Sequence, residues 1–180
     1  MTHHQLDASD PRERFRAVRA LRGDYSQDAG QRLVEALCSE ASDRVWWLLA
    51  ITVLPIWLPC FDRYVCGLGS WPFSPDRTYR IIGLLGSNSL KCVETLTHSW
   101  LESDNLLLQV AAVKYRLRHS MKPATAMREL AELSSRVGLA YTGSEEGSDH
   151  ATLYKVVGGV LALEGWAEEH CVTEDADERA

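Results

Sequence analysis

The sequence predicts an all-α protein, an α-α superhelix of about four irregular helix pairs closed by a C-terminal capping helix. Three observations carry that expectation. Apolar residues recur at three- and four-residue steps in one segment after another, which is the period of a helix with one buried face. Asp10, Asp43 and Asp76 stand 33 residues apart, and Asp104 follows after 28. Seven positions beyond each of these stands a small residue, Ala17, Ala50, Gly83 or Ala111. Such a residue at fixed register lets a neighbouring helix pack closely, and a recurring Asp can cap the helix it precedes.

A chain of 180 residues is most simply one domain with a real core. Hydrophobic residues at 46% and charged residues at 24% are ordinary for a soluble globular protein. Nineteen Lys+Arg against 25 Asp+Glu give a net charge of −6. That balance disfavours a general nucleic-acid binder, which must neutralise phosphates, and leaves room for a basic partner. Five cysteines, Cys38, Cys60, Cys66, Cys92 and Cys171, form no dense framework. The opening residues lack a basic stretch followed by an apolar one. Reduced, mostly buried thiols in a cytoplasmic protein are expected.

Residues 1–9 read as a disordered lead-in, 10–169 as a single domain, and 170–180 as an acidic tail. Asp10-Pro11 starts the first helix, with Phe15, Val18 and Leu21 as its stripe and Gly23 as its stop. A second helix follows Ser26 to Asp28 and aligns Ala29, Leu33, Val34 and Leu37. Asp43 opens the most apolar stretch, in which Val45 to Phe61 carries 17 residues without a charge. Pro55 and Pro59 end or kink that helix. Cys60 to Leu68 suits a short second helix, followed by a Gly/Pro-rich loop through Pro75. A membrane span needs ~20 apolar residues, and the prolines leave an uninterrupted helix only from Arg44 to Leu54. A buried central helix is the expectation.

The third unit runs from Asp76 and continues along Leu90, Val93, Leu96 and Trp100 or Leu101. The fourth starts at Asp104 and ends in a basic turn that complements the helix dipole. Ala124 to Leu133 forms another helix with Met127, Leu130 and Leu133 in phase. A loop is expected over 138–149. Leu153, Val156, Val157, Val160 and Leu161 then make the capping helix. Gly158-Gly159 costs it about 1 kcal/mol per glycine relative to alanine, which close backbone contact would offset. The expected core includes Leu21, Leu33, Leu37, Leu48, Ala50, Leu54, Ile81, Leu84, Val93, Leu96, Val110 and Leu130.

Asp10-Pro11-x-x-Arg14-x-x-Ala17-Val18-x-x-Leu21-x-Gly23 resembles the first helix of a HEAT repeat, and Ala29 to Leu37 resembles its second. The resemblance covers roughly residues 10–134, with more divergent copies at Asp43 and Asp76. It implies stacked helix pairs with a binding surface lined by the second helix of each pair. On that reading Arg32, Glu35, Lys91, Glu94 and His98 are candidate partner-binding residues. Trp57 and the loop aromatics Trp71 and Phe73 break the repeat, and either plug the edge of the core or serve as binding anchors.

No catalytic spacing stands out. There is no phosphate-binding glycine loop, nucleophile elbow or His-Glu-x-x-His. Five residues intervene between Cys60 and Cys66, and no second pair follows, so no metal and no cofactor are assigned. His98 reads as a surface histidine. The leading expectation is a non-enzymatic protein-protein interaction module, such as a stoichiometric inhibitor, an immunity protein or an adaptor that binds a basic protein partner, with neither nucleic acid nor membrane involved. The alternative is an enzyme resembling HEAT-like alkylpurine DNA glycosylases, with Trp46, Trp47 and Trp57 in a groove.

Overall fold

A computed structural model describes residues 5–119, 123–142 and 156–165. Every regular element among them beyond a single short turn is an α-helix, and no strand is present among the described residues. In order they are α1 (Pro11–Leu21), α2 (Gln27–Ser39), α3 (Asp43–Gly67), α4 (Pro75–Leu85), α5 (Lys91–Leu101), α6 (Leu106–His119), α7 (Pro123–Thr142) and α8 (Val156–Gly165). The chain is therefore all-α, and its residues group into two compact units. The first runs to Phe73 and includes Leu90–Cys92; the second takes Ser74–Ser89 and the chain from Val93 onward.

In the first unit, local chemistry sets the helix starts. The Asp10 carboxylate accepts from the Arg12 backbone N–H at 2.8 Å ahead of Pro11, and Ser26 accepts from Ala29 N–H at 3.3 Å. These bonds satisfy donors that a helix leaves orphaned at its first turn. Ala17, Val18 and Leu21 of α1 and Ala29, Leu33, Val34 and Leu37 of α2 are buried. The lead-in is ordered from residue 5: Leu6 is buried, and Arg14 Nη1 donates to the Ala8 and Ser9 carbonyls at 2.6 and 3.0 Å.

α3 packs on both α1 and α2. The expected helix and its short successor are two helical segments joined across a kink within Asp43–Gly67. Pro55 and Pro59 flank that kink, and Trp57 between them has non-helical backbone (φ −114°, ψ 23°). A proline removes one backbone donor and crowds the preceding turn, which is a sufficient cause for a kink. The bend is accommodated by α2: a Cβ built on Gly30 would lie 2.5 Å from the Trp57 ring. Only glycine leaves that space. Phe73 then closes the unit, with ring centroids 6.3 Å from Trp46, 6.0 Å from Phe61 and 5.2 Å from Trp71.

In the second unit, Ser74 caps α4 by accepting from Arg77 N–H at 3.4 Å, with Pro75 in the first turn. α6 packs against α4 and α7. One core gathers Val110, Val113 and Leu117 of α6, Leu130 and Leu133 of α7, and Val156, Val160 and Leu163 of α8. Leu161, expected on the buried face of α8, is 62% exposed. The two glycines of α8 separate cleanly. A Cβ on Gly159 would meet Val110 and the Tyr79 hydroxyl at 3.1 Å each, whereas one on Gly158 meets nothing. α7 continues to Thr142, so residues 138–142 of the expected loop are helical; residues 143–149 and the acidic tail lie outside the described residues.

The structure does not show a HEAT repeat. The four aspartates are not equivalent: Asp10 is an N-cap, Asp43 is the first residue of α3 after Ser42, Asp76 lies inside α4 behind Ser74-Pro75, and Asp104 precedes Asn105. Asn105 itself accepts from the N–H groups of Leu107 and Leu108. The small positions diverge too. Ala17, Ala50 and Ala111 are buried while Gly83 is exposed, and Leu84 and Leu96 are only partly buried.

Candidate functional site

The first unit carries a cleft of about 700 Å³ between α2 and the segment leading into α1. Asp7, Asp28, Glu35 and Glu40 contribute four carboxylates to its lining, against the guanidiniums of Arg14 and Arg32. Both guanidiniums are already engaged. Arg14 grips Glu40 through two parallel bonds of 2.8 Å, and Arg32 Nε lies 3.0 Å from Asp28 one helical turn away. Glu35 accepts from Gln31 Nε2 at 3.0 Å. With these pairings made, Asp7 and Glu35 give the cleft its acidic excess.

Glu40 is the structural hub of this region. Its side chain is 3% exposed, yet it holds Arg14 of α1 and accepts from the N–H of Ser42 at 2.7 Å, immediately before α3. Burial acts to raise its pKa. The Arg14 hydrogen bonds, the Ser42 N–H and the guanidinium charge outweigh burial and hold the carboxyl below its ordinary value. A fork-to-fork pair of this kind fixes geometry as well as charge. Sequence reasoning passed over Glu40 because its partner lies 26 residues away. Asp7 was hidden in the expected disordered lead-in.

The eight residues named from the sequence do not converge. Arg32, Glu35, Trp57, Trp71, Phe73 and Lys91 belong to the first unit, Glu94 and His98 to the second. Arg32 and Glu35 line the cleft together. Trp57 packs on Gly30, Phe73 is buried, and Trp71 stacks edge-on to Phe61 and Phe73, so these aromatics close a core. Lys91, Glu94 and His98 are exposed on α5, with His98 Nε2 3.5 Å from Glu102. The tryptophans of the glycosylase-like reading differ in environment. Trp46 is fully buried, Trp57 faces α2, and Trp47 is 39% exposed.

The cysteines also depart from the expected burial. Cys66 is exposed, and Cys38, Cys60 and Cys92 are half-buried. Burial pushes the Cys38 thiol up to about 12, which keeps it protonated and unreactive. Burial, followed by the neighbouring Asp62 and Cys66, raises Cys92 as well. No family model, curated protein or solved structure matches the chain.

Proposed function

We propose that this chain is a non-enzymatic protein-binding module whose partner presents a Lys/Arg-rich segment to the acidic cleft of the first unit. The observation that supports the reading is the charge arrangement: both lining arginines are satisfied within the chain, while Asp7 and Glu35 remain in excess at the rim. A net charge of −6 acts in the same direction, because complementary fields accelerate encounter and reject like-charged partners. A small module of this kind suits a stoichiometric inhibitor or an adaptor. The cleft repels phosphate backbones for the same reason that it attracts ammonium and guanidinium groups.

The test is a titration of the full chain, followed by residue-resolved amide shifts, with an Arg/Lys-rich peptide and an Asp/Glu-rich peptide of equal length. The basic peptide is expected to shift amides of residues 28–36, with affinity that falls as salt rises. Glu35→Lys and Asp7→Lys are each expected to weaken it. No shift, or an equal response to the acidic peptide, overturns the reading. Retention and base release on alkylated duplex DNA would replace it with the glycosylase-type enzyme.

A further inference from the structure

Three metal-ligating side chains meet in the first unit and share no residue with the acidic cleft. Asp62 and Cys66 are four residues apart in the second half of α3, which places them on one face of the helix. The chain returns to them at Cys92, within the Leu90–Cys92 segment of the same unit. Asp62 Oδ1 accepts from the Cys66 thiol at 3.6 Å and from the Cys92 backbone N–H at 3.3 Å. One donor atom from each of the three residues lies within 4.8 Å of the other two. Cys66 is exposed and the other two are half-buried.

We propose that Asp62, Cys66 and Cys92 bind a thiophilic divalent cation, zinc foremost, through two thiolates and one carboxylate, with solvent in the fourth position. Paired sulfur ligands select zinc-like cations over magnesium and calcium, which take oxygen. Tetrahedral zinc at its usual bond lengths sets two sulfurs about 3.8 Å apart. The donor atoms of the cluster, within 4.8 Å of one another, already lie near that spacing. On binding, both S–H bonds give way to S–metal bonds and the protons pass to the buffer. The Cys92 N–H bond orients the carboxylate, the role outer-shell donors play at metal centres. Exposure of Cys66 supplies both the access path and the open coordination position. The cation would fasten the Leu90–Cys92 segment to α3 and so close a long loop, a constraint that favours the folded state.

The test adds Co²⁺ to the full chain kept reduced with a phosphine. A near-ultraviolet thiolate-to-cobalt charge-transfer band is expected to saturate at one equivalent and to be bleached by one equivalent of Zn²⁺. Cys66→Ser, at an exposed position, is expected to remove at least half of the band without unfolding the protein. Asp62→Asn should keep the two-thiolate band but weaken binding by at least about tenfold. Cys60→Ser should leave both features intact. Cobalt held by the imidazole nitrogens of the N-terminal His3 and His4 would give no thiolate band. Absence of the band, or a band unchanged in Cys66→Ser, overturns the assignment.

Discussion

From Val45 to Leu54, α3 buries Val45, Trp46, Leu48, Leu49, Ala50, Thr52, Val53 and Leu54; from Leu58 to Gly67 it buries only Phe61 and Val65. The two halves are helical segments joined across a kink, and they share one apolar run. The Trp57 kink separates their fates. Before it, most residues are buried; beyond it, the chain still runs beside α2, where Gln27, Gln31 and Val34 share a pocket with Cys60 and Tyr64, but it presents Arg63 and Cys66 to solvent, and Ile56 and Leu68 at its margins are 38% and 43% exposed. Mean hydropathy averages across this difference. By length and composition α3 is the one helix among those described that is long and apolar enough to cross a membrane, yet 44% of that window is buried inside the protein. Apolarity in the first half serves a core, while the second half frees a surface that carries the Asp62–Cys66 pair.

Substitutions separate the halves in order of expected effect. Leu49→Ala, at a fully buried site, is expected to cost about 3 kcal/mol in urea unfolding. Arg63→Ser, at an exposed site of the second half, should change stability by no more than about 0.5 kcal/mol. Equal costs would break the comparison.

Next comes the anchor before α3. Arg14→Leu leaves the Glu40 carboxylate buried without its guanidinium and is expected to cost about 2 kcal/mol, less than a fully buried pair because Arg14 keeps 17% exposure. The pH dependence has a definite sign. The Glu40 pKa is lowered in the folded state, so its stabilisation is present above the unfolded value, about 4.3, and fades as pH falls through the folded value. Stability curves at pH 7 and pH 3 should therefore converge for Glu40→Gln relative to the native chain.

The kink itself is tested by Gly30→Ala. Alanine in a helix normally gains about 1 kcal/mol over glycine, but here the new Cβ meets the Trp57 ring at 2.5 Å. A net loss of about 1–2 kcal/mol is expected. In a Trp57→Leu background the same change should become neutral or stabilising, and a double-mutant cycle reads that reversal. The second unit provides a smaller counterpart. Gly158→Ala is expected to raise stability by up to about 1 kcal/mol, whereas Gly159→Ala lowers it, because Val110 and Tyr79 must yield. Thermal unfolding of the two variants should move in opposite directions.

Much of the fold was legible wherever the determinant was local. Asp10-Pro11, Ser26 and the periodic stripes of α1 and α2 specify those helices by capping and by side-chain spacing. The close approach at Gly159 was legible from its cost. What the sequence hid is tertiary. Pro55 and Pro59 can stop or bend a helix, and the outcome rests on whether α2 offers a gap at Gly30. Equal spacing of Asp10, Asp43 and Asp76 suggested repeats, but each occupies a different place relative to its helix start. Arg32 and Glu35 were visible as the polar face of α2. Asp7, which helps complete their cleft, and Arg14, which pairs with Glu40 at the end of α2, arrive from distant positions, as does Cys92 beside Cys66.

Residue-resolved amide hydrogen exchange along α3, measured without detergent, tests the division most directly. Slow exchange near the global unfolding limit is expected for residues 47–54, and markedly faster exchange for residues 60–67. Equal protection through both halves, or protection of 45–61 that develops only in detergent micelles, would contradict it.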